Sequence, residues 1–205
     1  MKPPRVYLVT EEGLAADLAA AVRAALAGLP PWSVAVQLRE KGMPARQLLQ
    51  LARALQSACG AAAQPLLVND RLDVALAAGA AGVHLPSAGI PTQEARRLLR
   101  PGALVGVSCH SVEDVVRAAA GGADFATFGP VFDTPSKRRY GAPVGLGRLA
   151  EAARVGLPLL GLGGVDLASA GRVMAAGAHG VAAIRAWLSA PDPAAAVRAL
   201  LAACA

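Results

Sequence analysis

Three stretches decide the fold: Ala77–Leu85 reads AAGAAGVHL, Ala120–Phe128 reads AGGADFATF and Ala175–Ala183 reads AAGAHGVAA. Each begins as the end of an alanine-rich helix, passes through a Gly-Ala turn and runs into a short apolar strand. Gly79, Gly122 and Gly177 stand where the residue after a helix needs a positive φ, a conformation glycine adopts without penalty. They are 43 and 55 residues apart, too uneven for a solenoid but suited to helix–strand units joined by loops of unequal length.

Outward from these stretches, the same alternation fills the chain. The patterning predicts strands at Arg5–Thr10, Ser33–Arg39, Pro65–Asn69, Gly82–Leu85, Ala103–Val107, Asp124–Phe128, Leu157–Gly161 and Gly180–Ile184. It predicts helices at Leu14–Leu29, Ala45–Cys59, Leu72–Ala78, Thr92–Arg100, Ser111–Ala120, Gly147–Val155, Leu167–Ala176 and Pro193–Ala203. The strands are continuous apolar runs, as parallel strands buried on both faces require. Eight β-α pairs within 205 residues, with no domain-sized gap, make an α/β fold: one small (β/α)8 TIM barrel spanning residues 1–205. An open doubly wound sheet would need a glycine-rich loop after the first strand, and Val9–Leu14 (VTEEGL) does not supply one.

Composition narrows the function. Hydrophobic residues are 55% of the chain and charged residues 17%, a balance that excludes disorder. Glycine, proline or charge interrupts every apolar run well short of the roughly 20 residues a membrane span needs. The net charge of +6 points to an anionic partner. Aromatics are only 3% and the arginines are scattered, with no helix-turn-helix or zinc-finger pattern, so nucleic acid is not expected. The one dense basic cluster, Lys137-Arg138-Arg139 beside Tyr140, reads as a phosphate-seeking loop. Cys59, Cys109 and Cys204 lack metal or redox spacing, and Met1–Arg5 lacks a signal-peptide pattern; both lead to the expectation of a cytoplasmic protein with reduced thiols. A homo-oligomer stays open.

In a barrel of this kind the site lies at the C-terminal ends of the strands, and polar residues gather there. The second strand ends in Gln37, Arg39 and Lys41, the third in Asn69 and Asp70, and the fourth carries His84. Ser108 and His110 follow the fifth strand, and Thr134, Ser136 and Lys137 follow the sixth after Thr127. Gly163 and Gly164 follow the seventh strand, and Ala183 and Ile184 end the eighth. These last two loops are where such barrels commonly hold phosphate through backbone N–H groups. Some of these residues have structural readings as well: Asn69-Asp70 as a helix cap, Ser111 with Asp114 as a capping box, His84 as a packed rim histidine, His179 as an exposed turn residue. His110 is the acid–base candidate, because its unperturbed pKa lies near neutrality.

Five ordered blocks resemble the thiamine phosphate synthase/TenI family. They are Val36–Lys41 (VQLREK), Leu66–Leu85 (LLVNDRLDVALAAGAAGVHL), Gly106–Ser111 (GVSCHS), Ala123–Lys137 (ADFATFGPVFDTPSK) and Gly161–Val165 (GLGGV). Tyr7–Thr10 (YLVT) extends the match to the first strand. The resemblance implies a small phosphorylated thiazole as substrate and one of two activities. Synthases join a hydroxymethylpyrimidine diphosphate to a thiazole phosphate and hold Mg²⁺ with two aspartates. Asp70 matches the first; the second falls on Ala88, which offers no oxygen ligand. TenI-type tautomerases lack that aspartate and carry Leu-Pro-Ser, as at Leu85–Ser87, with a catalytic histidine in a turn matching Ser108–Ser111. On this ground the expectation is a metal-free thiazole tautomerase, an isomerase using His110. The alternative is the Mg²⁺-dependent synthase, a transferase, to which Gln37, Arg39, Lys41, Asn69, Asp70, Thr134, Ser136 and Lys137 correspond as pyrimidine and diphosphate contacts. A non-catalytic barrel that binds the thiazole phosphate and regulates a partner is the third reading.

Overall fold

The computed structural model describes residues 3–134 and 142–205. Eight parallel strands close in chain order into one barrel: β1 (Val6–Val9), β2 (Val34–Leu38), β3 (Leu66–Asn69), β4 (Gly82–Leu85), β5 (Leu104–Cys109), β6 (Phe125–Phe128), β7 (Leu159–Gly161) and β8 (Gly180–Ala183). Tyr7 stands opposite both Ala35 of β2 and Ala182 of β8, which completes the ring. The helices are α1 (Leu18–Leu26), α2 (Ala45–Ala61), α3 (Leu72–Ala78), α4 (Thr92–Leu98), α5 (Val112–Ala120), α6 (Gly145–Ala153), α7 (Leu167–Ala175), α8 (Arg185–Leu188) and α9 (Pro193–Ala203). None of them is long and apolar enough to cross a membrane.

Strand alternation sends every second side chain outward. Leu8, Val36, Val68, Val83 and Val181 face the helix layer, where they meet buried residues such as Leu55, Leu149, Val173 and Leu200. The opposite faces fill the barrel with a second, smaller core: Tyr7, Val9, Ala35, Leu67, Leu104, Phe125, Leu160 and Ala182. Near the barrel floor the strands come very close together. A Cβ on Gly180 would lie 1.9 Å from the Arg5 carbonyl oxygen, so the position takes only glycine.

The three glycines that announced the fold have φ of 66° (Gly79), 83° (Gly122) and 89° (Gly177), all in the left-handed region. Strand β5 runs to Cys109, two residues beyond the sequence reading, and so carries Ser108 within it; three helices also differ. Helix α1 starts at Leu18 rather than Leu14, because Asp17 caps it by accepting the Ala20 N–H at 2.9 Å; residues 10–17 become a loop over the barrel mouth. Helix α6 starts two residues earlier than expected. The short helix α8 was not anticipated. It sends Trp187 into the interior, where the indole N–H donates to the Ala183 carbonyl at 3.1 Å and reaches the Val9 carbonyl at 3.3 Å. At the opposite end His179 is not free: its Nε2–H donates to the Pro3 carbonyl at 2.7 Å and pins the start of the chain.

Candidate active site

Parallel strands put all eight C-terminal ends at one mouth, and a polar chain lies just beneath it. Gln37 on β2 donates its amide N–H to the Tyr7 hydroxyl at 3.1 Å. That hydroxyl lies 3.3 Å from His84 Nδ1. On the other side of the ring, His84 Nε2 is 3.0 Å from Ser108 Oγ and 3.4 Å from Thr127 Oγ1. Four strands contribute to this network besides β1, and only Ser108 is partly open to the mouth. His84 is held far below its ordinary pKa, at about 3, first by burial and then by the positive charge of Arg39. It is a neutral imidazole at any physiological pH. Burial likewise pushes the Tyr7 phenol upward, so it keeps its proton.

The loop after β2 is tied to β1. Thr10 accepts the Arg39 N–H at 2.9 Å and donates to the buried Glu40 carboxylate at 2.6 Å. The Arg39 guanidinium stands 4.0 Å from Glu11, and Lys41 is exposed beside it. The rim therefore carries cations on a fixed backbone.

Asn69 and Asp70 do not cap α3. The N-cap is Arg71, with no side-chain cap hydrogen bond. Asp70 instead takes φ of 63°, held by its own N–H donating to the His84 carbonyl at 2.8 Å. Few residues other than glycine adopt this region, and aspartate is among those that do. The turn leaves Asp70 exposed at the mouth. The capping reading of Ser111 does hold: Ser111 and Asp114 form a capping box at the start of α5.

His110 follows β5 and is exposed. Its Nδ1–H donates to the Gly129 carbonyl at 2.6 Å, so the neutral ring has a bare Nε2. Gly163 and Gly164 both have positive φ, 94° and 63°. They pack on the start of the β6–α6 loop: Val131 N–H donates to the Leu162 carbonyl at 2.8 Å, and Phe132 N–H to the Gly163 carbonyl at 2.9 Å. Among the described residues the N–H groups of Gly163 and Gly164 have no protein acceptor. Ala183 is buried at the end of β8, and Ile184, partly buried, packs on the interior core. Thr134 is partly buried and donates to the Phe132 carbonyl at 3.2 Å. Ser136 and Lys137 lie outside the described residues.

Sequence reasoning named Gln37, Asn69, His84, Ser108, His110, Thr127 and the glycine turn, and the barrel brings these to one end. It missed Tyr7, Thr10 and Glu40. Strand alternation was the one available signal for Tyr7, and it cannot say which side chain on another strand an inward phenol meets.

The chain matches the family described as thiamine monophosphate synthase (TMP-TENI) over residues 6–187. The chain belongs to this family. It is 50% identical to a Geobacter sulfurreducens protein provisionally named thiamine-phosphate synthase, over 96% of this chain and 92% of that one. It is 47% identical to the thiamine-phosphate synthase of Roseiflexus castenholzii, over 95% and 86% of the two chains. Among solved structures it resembles the thiamine phosphate pyrophosphorylase of Pyrococcus furiosus, with a TM-score of 0.87 and 30% identity over 98% of this chain and 95% of that one. Membership in the TMP-TENI family makes the chain an enzyme of thiamine biosynthesis. These relatives carry the name of the transferase, the alternative activity of the sequence reading.

A divalent ion is implied for family members that act as synthases. Among the described residues no group of three or more His, Cys, Asp or Glu side chains is placed to hold a metal. Mg²⁺ does not need such a cage: it binds through one or two carboxylates plus substrate phosphates. Asp70 supplies one exposed carboxylate at the mouth, while Ala88, exposed after β4, supplies none. The donor set fits an ion held chiefly by the ligand's own phosphate oxygens.

Proposed function

We propose that this chain is a thiamine-phosphate synthase. In that reaction the C–O bond between a pyrimidine methylene and its diphosphate breaks, and diphosphate leaves with the bonding electrons. A C–N bond forms between that methylene and the nitrogen of a thiazole phosphate. The observation that carries the reading is Asp70. It stands exposed in a left-handed turn at the mouth and serves no cap. The names of the relatives support the same reading.

The residues divide the work by chemistry. Arg39 and Lys41, with Lys137 from the sequence resemblance, bring positive charge to the departing diphosphate. Thr10 and Glu40 hold the backbone that carries Arg39. Gln37, at the end of the interior chain, and Asn69 face a planar heterocycle with polar groups. The N–H groups of Gly163 and Gly164, which have no acceptor among the described residues, receive the thiazole phosphate together with the β8 end at Ala183 and Ile184. Thr134 adds a hydroxyl on the β6–α6 side, and the sequence resemblance gives Ser136 the same role. Asp70 would hold Mg²⁺ together with the diphosphate, and the ion would supply neutralisation of charge on the leaving group.

A second reading has its own observation. Ala88 replaces the second metal aspartate, and His110 has one ring nitrogen committed to Gly129 and the other bare. That is the arrangement of a general base, and it suits aromatisation of a carboxythiazole phosphate by proton shift. One preparation tests both. The synthase reading expects thiamine phosphate to form from the two substrates with Mg²⁺ and to stop with EDTA. Turnover of the carboxythiazole phosphate alone, insensitive to EDTA, would favour the tautomerase.

A further inference from the structure

We propose that Tyr7 and His84 are positioning residues that fix the Ser108 hydroxyl as a hydrogen-bond donor to an anionic oxygen of the ligand. On this view Ser108 and His84 are not a nucleophile–base pair, although 3.0 Å separates them. The ligand half of the proposal rests on the reading of this mouth as a phosphate-binding site; the polarity of the chain does not.

The argument follows one proton at a time. Tyr7 is wholly buried, and its hydroxyl has two neighbours, Gln37 and His84. The Gln37 amide N–H already donates to it. The phenol proton therefore needs His84 Nδ1 as its acceptor, since a buried donor left unpaired is strongly disfavoured. A bare Nδ1 puts the proton of the imidazole on Nε2. Nε2–H then donates to Ser108 Oγ, with Thr127 Oγ1 more distant. Because Ser108 accepts from the ring, its own hydrogen is left for a partner at the mouth.

Packing keeps the ring from exchanging its two nitrogens. Its centroid lies 5.6 Å from that of Tyr7 and 5.9 Å from that of Phe125. The β5 backbone presses on it at Gly106, where an added Cβ would stand 2.6 Å from Nδ1. A serine nucleophile needs a lone pair on the neighbouring imidazole nitrogen; here that nitrogen carries a hydrogen. Ser108 consequently selects for acceptors, which the ionised oxygens of phosphate and diphosphate are.

The polarity is read directly by ¹⁵N NMR of histidine-labelled protein, with the His84 signals assigned by their loss in His84→Gln. A protonated Nε2 and a bare Nδ1 are expected at neutral pH; a proton on Nδ1, or on both nitrogens, overturns the proposal. The consequence is read by titrating inorganic diphosphate into three proteins. His84→Gln keeps an N–H donor and should bind within about threefold of wild type, whereas His84→Leu should bind about tenfold or more weakly. Equal affinity in all three overturns the proposal, as does labelling of Ser108 by a fluorophosphonate. If thermal melts show a variant unfolded, the wild-type spectrum decides alone. The spectrum uses no thiamine precursor, so a failed synthase assay would leave it intact, and a failed spectrum would leave the synthase reading intact.

Discussion

Replacing Gly163 with alanine strains the mouth in two ways at once. The residue sits at φ of 94°, and its new Cβ would lie 2.5 Å from Pro130 Cβ and 2.6 Å from Pro130 Cα. Non-bonded carbons rest at about 3.5–4.0 Å, so the two loops would have to part by roughly 1 Å. They are not free to do so, because Val131 and Phe132 donate N–H bonds to Leu162 and Gly163. The left-handed backbone costs about 1–2 kcal/mol for a residue with a Cβ, and overpacking adds about 1–3 kcal/mol. The expected loss is therefore about 2–5 kcal/mol, or roughly 4–20 °C in Tm for a chain of this size. Calorimetric melting measures it, with Gly171→Ala as the control. Gly171 lies within α7 with nothing within 4 Å of an added Cβ, so alanine there should stabilise by about 0.5–1 kcal/mol. The same Gly163→Ala protein should bind inorganic phosphate less tightly, because the displaced loop carries the Gly163 and Gly164 N–H groups proposed to hold it. A Gly163→Ala protein that melts with wild type would refute the contact between the loops.

Further outcomes follow from the same geometry. Asp70→Asn should keep the left-handed turn, which asparagine tolerates, and leave the Tm nearly unchanged while synthase turnover falls by at least about 10²-fold; a matching loss of Tm would make Asp70 a structural residue. Asp124, at the end opposite the mouth, accepts the Val105 N–H at 2.7 Å and pairs with Arg96 at 2.5 Å. Asp124→Ala should cost about 1–3 kcal/mol in a urea titration by stranding these donors, with KM for both substrates unaltered. Burial pushes the thiols of Cys59 and Cys109 up to about 12. A raised pKa keeps a thiol protonated below that value, so iodoacetamide at pH 8 should spare both in the native chain and modify both in urea, as mass spectrometry would read.

The fold was legible because its signals are local. A Gly-Ala turn before three of the apolar runs marks where a helix hands over to a strand, and those turns anchored the rest of the barrel. Helix α1 was misjudged because alanine-rich sequence runs on past the true start, and Asp17 competes poorly for notice within it. Helix α8 spans only Arg185–Leu188, too short to show a period. The rim residues were legible from their position at strand ends. Their partners were not: Tyr7 and His84 are 77 positions apart, and their meeting depends on barrel closure. The tautomer of His110 depends on the Gly129 carbonyl of the neighbouring strand's loop, again a contact no spacing reveals. Ala88 offers no oxygen ligand, and that drew the sequence reading toward the tautomerase. Mg²⁺ that takes most of its oxygens from a diphosphate asks less of the protein than a two-aspartate pattern implies.

The most direct test is an end-point assay with mass detection on the purified protein, given the hydroxymethylpyrimidine diphosphate, the thiazole phosphate and Mg²⁺. Thiamine phosphate and diphosphate should appear in equal amounts at a rate on the order of 1–10 s⁻¹, and EDTA should abolish both. No thiamine phosphate, together with metal-independent aromatisation of carboxythiazole phosphate that His110→Asn slows by about 10²-fold or more, would contradict the synthase assignment.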